Sequence, residues 1–251
     1  MGKPKSESSS SQQPSVAKEF SAVIPCFNEE ATIQELLKRV RSANPAPKEI
    51  VVVDDFSTDS TREILQRELE SGGIQKLHFQ EKNYGKGAAL RQGFSMVSTP
   101  FCIVQDADLE YSPNDYSKVM SPLFEGEADA VFGSRFKGSE RTRVLYFWHY
   151  MGNKFLTLLS NAFSNLNLSD METCYKAFRT EIIQGLSLKE NRFGFEPEVT
   201  AKLARIRGLR IYEVGISYAG RTYQEGKKIG WKDGFRAIYV ILKYGLFSRR
   251  S

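Results

Sequence analysis

From residue 20 onward the hydrophobic positions repeat a strand, loop, helix order. Residues 20–24 form a short apolar run that Pro25 is expected to stop. Asn28, Glu29 and Glu30 then lead into Ile33, Leu36, Leu37 and Val40, the i, i+3, i+4, i+7 spacing of a buried helix face. Ile50, Val51, Val52 and Val53 make a continuous β-branched run ending in Asp54 and Asp55, and Ser60 with Glu63 predicts a capping box for the helix carrying Ile64, Leu65 and Leu69. Further strands are predicted at residues 77–80, 101–105 and 128–132, with helices starting at Ala88 and covering 115–124. Uninterrupted apolar strands are buried on both faces, which predicts a parallel sheet. Strands alternating with crossover helices predict a right-handed, doubly wound α/β domain with its site at the carboxyl ends of the strands.

Beyond this core the pattern changes. Residues 144–163 are crowded with Tyr146, Phe147, Trp148, Tyr150, Met151 and Phe155, while His149, Asn153, Thr157, Ser160, Asn161 and Ser164 fall into one helical stripe. That layout suits either an interfacial helix or a helix packed on the sheet. A second helix with apolar residues 237–242 is predicted to end near Leu246 and Phe247. Residues 1–19, Ser- and Gln-rich, read as a disordered tail, 20–220 as the folded α/β domain, and 221–251 as a basic loop plus an amphipathic C-terminal helix.

Charge sharpens the division. The 251 residues carry 35 Lys and Arg against 30 Asp and Glu, but residues 221–250 hold eight basic and two acidic ones, leaving 27 and 28 elsewhere. A near-neutral body with one basic end argues against a nucleic-acid-coating protein and for an anionic partner at that end. Three widely spaced cysteines and two histidines give neither a disulfide framework nor a zinc site, so a metal here would be a hard cation on carboxylates. No apolar run is long enough to span a bilayer, and a cytoplasmic protein is expected.

Two strands deliver acids to one sheet edge: Asp54 and Asp55 after the second, Asp106 and Asp108 after the fourth. Four carboxylates in one crevice repel unless a cation or ligand hydroxyls satisfy them, the outline of a magnesium or manganese nucleotide site. Asp also caps helices, so either acid taken singly has a purely structural reading. Arg135, in Gly133-Ser134-Arg135, has the guanidinium fork that matches a phosphate.

The ordered set Pro25-Cys26-Phe27-Asn28-Glu29-Glu30, Val53-Asp54-Asp55-Phe56-Ser57-Thr58-Asp59-Ser60-Thr61, Asn83-Tyr84-Gly85-Lys86-Gly87 and Asp106-Ala107-Asp108 resembles the family 2 glycosyltransferases of GT-A fold. Gly133-Ser134-Arg135 with Asp170-Met171-Glu172-Thr173-Cys174-Tyr175-Lys176 is similar, more narrowly, to the polyprenyl-phosphate and dolichol-phosphate glycosyltransferases, with Cys174 where that pattern has glycine. The resemblance covers roughly residues 20–234.

It implies a mixed, mainly parallel sheet flanked by helices. It implies that Pro25, Asn28, Glu29, Asp54 and Asp55 hold the base and ribose of a nucleotide sugar, with Lys86 shaping that pocket. Asp106 and Asp108 would bind Mg2+ or Mn2+ across the diphosphate, Arg135 the acceptor phosphate, and Asp108, Asp170 and Glu172 would be the catalytic acids. Asp170 or Glu172 must be a true base only if the acceptor is a hydroxyl, because a phosphate monoester, with a second pKa of about 6, is already largely dianionic at neutral pH. Arg221, Lys227 and Lys228 would close over the donor diphosphate and the lipid phosphate.

The expected activity is therefore inverting, metal-dependent transfer of a hexose from UDP-glucose or GDP-mannose to a polyprenyl or dolichyl phosphate. The protein would sit peripherally on the cytosolic face of a membrane, held there directly, through an anchoring subunit or as a homo-oligomer. The alternatives are a family 2 enzyme acting on a glycan or soluble hydroxyl, and an inactive nucleotide-binding subunit.

Overall fold

The computed structural model describes residues 17–138, 143, 144, 146–220 and 231–246. Among these residues seven strands form one sheet in the order β3-β2-β1-β4-β6-β5-β7. They are β1 (Phe20–Cys26), β2 (Glu49–Asp54), β3 (Lys76–Phe79), β4 (Phe101–Val104), β5 (Ala130–Ser134), β6 (Lys176–Arg179) and β7 (Ile211–Gly215). Only β6 runs against its neighbours β4 and β5; the other pairs are parallel. The α/β, mainly parallel sheet expected from the pattern is thus present, with one reversed strand inside it.

Among the described residues eight α-helices accompany the sheet: α1 (Ile33–Arg41), α2 (Thr61–Glu70), α3 (Lys86–Met96), α4 (Tyr116–Phe124), α5 (Phe147–Ser164), α6 (Thr180–Gly185), α7 (Phe195–Leu203) and α8 (Trp231–Leu246). Helix α1 buries Ile33, Leu36, Leu37 and Val40, as its spacing predicts. One apolar cluster gathers α1 and α4 on one face of the sheet, with Ile24, Val52 and Ile103; another gathers α3 and α7 on the other face, with Val23, Val51 and Val104.

Two local expectations fail for identifiable reasons. Pro25 does not stop β1: it stays in register with Val53 of β2, while pairing with β4 has already ended at Val23, so the missing N–H costs no ladder bond. Ser60 and Glu63 form no capping box. Asp59 Oδ1 accepts the Thr61 N–H instead, and Glu30 Oε2 accepts the Ser60 N–H, so acids from two loops take over the helix start.

Helix α5 carries its polar stripe inward. Asn153 Nδ2 donates to Asp170 Oδ1 at 3.2 Å, Thr157 Oγ1 accepts the Met171 N–H at 3.1 Å, and Asn161 exchanges bonds with both backbone groups of Leu168. The i, i+4, i+8 spacing of these residues makes them one strip that fastens the 168–171 loop. The opposite side leaves Phe147, Trp148, Met151, Phe155 and Leu158 in solvent, Trp148 at 79% exposure and Leu158 at 69%. Helix α8 packs beside α5, burying Ala237, Val240 and Ile241 and exposing Phe235 and Tyr239. Among the described residues no helix is long and apolar enough to cross a membrane.

Candidate active site

The loops after β1, β2 and β4 meet at one sheet edge, and each holds a non-glycine residue in the left-handed region: Asn28 (φ 50°), Phe56 (φ 68°) and Leu109 (φ 63°). Such conformations are costly and persist where surrounding bonds over-determine them. Here the Asn28 N–H donates to Ser57 Oγ at 2.9 Å, and Asn28 Oδ1 accepts the Thr58 N–H at 2.8 Å. The Glu29 N–H donates to Thr61 Oγ1, and the Thr32 hydroxyl contacts both Glu29 Oε2 and the Ala107 carbonyl. Pro25, Asn28, Glu29, Asp54 and Asp55 are therefore held in one rim, as is the Asp106-Ala107-Asp108 turn.

Asp54 is fully buried at the end of β2; its Oδ2 accepts the Ser57 N–H and lies 3.4 Å from Arg62, while its Oδ1 has no partner among the described residues. A buried, orphaned carboxylate oxygen is suited to a ligand donor. Asp55 turns the other way and accepts the N–H groups of Tyr84 and Gly85 at 2.8 and 2.7 Å. Burial raises its pKa against those two bonds. Asp55 thus positions the glycine loop. Gly85 has φ 101°, and a Cβ there would stand 2.4 Å from the Asn191 carbonyl, so both backbone and space require glycine.

Asp106 follows β4 and Asp108 lies two residues on, its Oδ1 accepting the Glu110 N–H. Gln105 fixes the approach to them: its Oε1 accepts the hydroxyls of Tyr116 and Tyr175, and its Nε2 donates to the Asp106 carbonyl. Gln105 is a structural clamp here. Hard carboxylate oxygens suit Mg2+ or Mn2+, and such ions complete their shells with substrate phosphates and water. Among the described residues there is no group of three or more His, Cys, Asp or Glu arranged to hold an ion. The donor set thus fits an ion shared with a diphosphate better than one caged by protein alone.

Lys86 reaches this edge from the start of α3, 2.8 Å from Asp106 Oδ1 and 3.4 Å from Glu196 Oε1. Burial works against its charge, but the carboxylates of Asp106 and Glu196 hold its pKa well above the ordinary lysine value. The Cys174 thiol is pushed up by burial and by Asp106, so it is a neutral contact rather than a nucleophile.

On the other flank Arg135 and Asp170 face each other. Arg135 Nε and Nη2 each lie 2.7 Å from one Asp170 oxygen, and the Arg135 N–H adds a third bond at 3.0 Å. Asp170 is fully buried; burial raises its pKa, but Arg135, its hydrogen bonds and Lys176 outweigh that and leave it below the usual carboxylate range. Glu213 accepts the backbone N–H groups of Ser169 and Asp170. Glu172 is pushed up to about 8, by burial first and by Glu196 next, and its Oε1 has no partner among the described residues.

Because Glu172 holds its proton more tightly folded than unfolded, stability falls as pH rises from the unfolded carboxyl value of about 4.3 toward 8. Glu172→Gln is therefore expected to melt higher than wild type at pH 8, with the gap closing near pH 4.5; thermal melts across that range check it. A gap independent of pH would refute it.

The sequence offers Glu196, with Glu198, only as an outlying candidate, Lys176 only within the 170–176 motif and Asn153 only within the polar stripe of its helix, and it does not point to Glu213 at all. Glu196 was legible only as an acid in the first turn of a helix, where acids are common anyway. Arg221, Lys227 and Lys228 lie outside the described residues, as do residues 1–16 of the expected tail.

Three acid-bearing loops thus lie together at the carboxyl edge of a 3-2-1-4-6-5-7 sheet, a mixed α/β architecture with its candidate site at the strand ends. The model of glycosyl transferase family 2 matches residues 21–186, and the chain belongs to that family and is a glycosyltransferase. Uncharacterized protein MJ1222 of Methanocaldococcus jannaschii is 31% identical over 91% of this chain and 93% of its own length. The undecaprenyl-phosphate 4-deoxy-4-formamido-L-arabinose transferase of Salmonella choleraesuis (strain SC-B67) is 30% identical over 84% of this chain, which spans 62% of that relative's length. The crystal structure of glucosyl-3-phosphoglycerate synthase from Mycobacterium tuberculosis with Mn2+, uridine diphosphate and glucosyl-3-phosphoglycerate superposes with a TM-score of 0.69 over 93% of this chain and 82% of that one. At 21% identity it speaks for the GT-A fold alone.

Proposed function

We propose that the protein transfers a hexose, with inversion, from a nucleotide diphosphate sugar to a polyprenyl or dolichyl phosphate at a membrane surface, on its cytosolic side. The observation that carries this reading is the reversed polarity of α5. One side of the helix holds the loop bearing Asp170, and the other offers Phe147, Trp148, Met151, Phe155 and Leu158 to an apolar medium. The acceptor chemistry agrees. Both Asp170 oxygens are engaged by Arg135, so Asp170 is not poised to deprotonate a hydroxyl. A phosphate dianion needs no base; it needs orientation and a cation.

In this scheme Asp54 and the rim around Asn28 and Glu29 hold the nucleoside, and Asp106 and Asp108 hold a divalent ion against the diphosphate. Bound there, the ion would neutralise charge on the departing nucleoside diphosphate. Asp170 keeps Arg135 ordered beside the acceptor phosphate, whose oxygen attacks C1 opposite the leaving group, turning an α-linked donor into a β-linked lipid phosphate sugar. Similarity to the undecaprenyl-phosphate arabinose transferases supports the lipid phosphate class. UDP-glucose is slightly preferred over GDP-mannose as donor, on the form of the 170–176 motif.

The test is a screen of nucleotide sugars with undecaprenyl and dolichyl phosphate, with Mg2+ or Mn2+ and then with chelator. Metal-dependent release of nucleoside diphosphate and a lipid product cleaved by mild acid are expected. An acid-stable glycoside would instead establish a hydroxyl acceptor. The membrane part has its own check. Trp148→Asp with Leu158→Asp should lower flotation with anionic vesicles by about tenfold or more, since each side chain removes roughly 2 kcal/mol of apolar burial. Unchanged flotation would remove α5 from the docking surface.

A further inference from the structure

Lys86 is tied at its backbone to one place and at its ammonium to another. The start of α3 is fixed by Asp55 on Gly85 and by the Asn191 carbonyl, which accepts the Ala88 N–H. Nζ meanwhile lies 2.8 and 3.1 Å from the two oxygens of Asp106, 2.8 Å from Cys174 Sγ and 3.4 Å from Glu196 Oε1. The side chains of Lys86 and Asp106 are only 14% and 15% exposed, so water screens the pair little. A single positive charge thus covers the carboxylate that a divalent ion would use. Glu196 is buried in α7, and its Oε2 has no hydrogen-bond partner among the described residues. It is an acceptor with unused capacity, its other oxygen already 3.4 Å from the ammonium.

We propose that Lys86 is a resident counter-cation that guards Asp106 against a free divalent ion and moves onto Glu196 when the ion enters together with a nucleoside diphosphate. The proposal rests on Asp106 and Asp108 being the metal-binding acids. Its physics is simple. A divalent ion alone at Asp106 meets the ammonium's like charge, whereas a diphosphate brings negative charge for both cations, and Glu196 compensates Lys86 after the shift. Once the nucleoside diphosphate leaves, Lys86 returns to Asp106 and the ion is released. Glu196 is then a positioning residue, acting on the site through Lys86.

The experiment titrates the full-length protein with Mn2+, reading free Mn2+ by electron paramagnetic resonance, with and without UDP or GDP. Wild type is expected to bind Mn2+ well only when the nucleotide is present. Lys86→Gln should bind Mn2+ without nucleotide about tenfold more tightly than wild type, and Glu196→Gln should bind it about tenfold more weakly with nucleotide. In thermal melts Mn2+ alone should stabilise Lys86→Gln more than wild type. Equal or weaker nucleotide-free Mn2+ binding by a folded Lys86→Gln would overturn the guard. If that variant does not fold, unchanged Mn2+ binding by Glu196→Gln overturns it. Mn2+ bound by no protein even with UDP or GDP would overturn the metal reading itself, and the guard with it.

Discussion

Asp108→Ala is expected to abolish sugar transfer while leaving the protein folded. Asp108 stands in a turn whose conformation is set elsewhere, by Gln105 on the Asp106 carbonyl and by Thr32 on the Ala107 carbonyl. Truncating it removes one carboxylate from the proposed ion site, together with the hydrogen bond it accepts from the Glu110 N–H. Loss of charge stabilisation on a departing diphosphate should cost about a thousandfold or more in turnover, on the order of 4 kcal/mol of barrier. Circular dichroism and melting should change little. Full activity in the folded variant would sink the metal-dependent mechanism.

Arg135→Ala is expected to damage both stability and activity, and the two can be separated. The substitution strands Asp170, which is fully buried with Arg135 as its main cationic partner, and breaking one side of a buried pair costs about 3–5 kcal/mol. The sign with pH follows from the depressed carboxyl. Its stabilisation is complete above the unfolded Asp value of about 3.9 and is lost as pH falls through the lower folded value. The urea midpoints of variant and wild type should thus differ most near neutrality and converge in acid. Arg135→Met with Asp170→Leu should recover part of the stability and none of the transfer. Recovery of transfer in that double variant would mean that neither residue takes part in the reaction.

What the sequence disclosed followed from local chemistry. β-Branched runs that end in acids announce a buried parallel strand and its functional edge together, which is why β2 with Asp54 and β4 with Asp106 were readable. The spacing in α1 was equally plain. Strand β6 was not readable: its four residues, Lys176 to Arg179, begin with a lysine that is buried because its ammonium donates to the carbonyls of Met171 and Thr173. No alternation survives in so short a run. Strand β7 is only half-buried at the sheet edge and carries Glu213, whose role exists only through the loop it holds. The Arg135–Asp170 pairing spans 35 positions and appears once β5 and the 168–171 loop are side by side. Each residue was nominated from its motif, Arg135 for a phosphate and Asp170 for catalysis; their mutual engagement is a property of the fold.

The reversed polarity of α5 also works as a depth gauge. An α-helix with its side chains is about 10–12 Å across, and an interfacial helix settles about 5–10 Å into the boundary of headgroups and acyl chains. In the proposed setting, the loop fastened to its inner side would then stand at the height of the lipid phosphates. An acceptor could present its phosphate to Arg135 without its hydrocarbon tail leaving the leaflet.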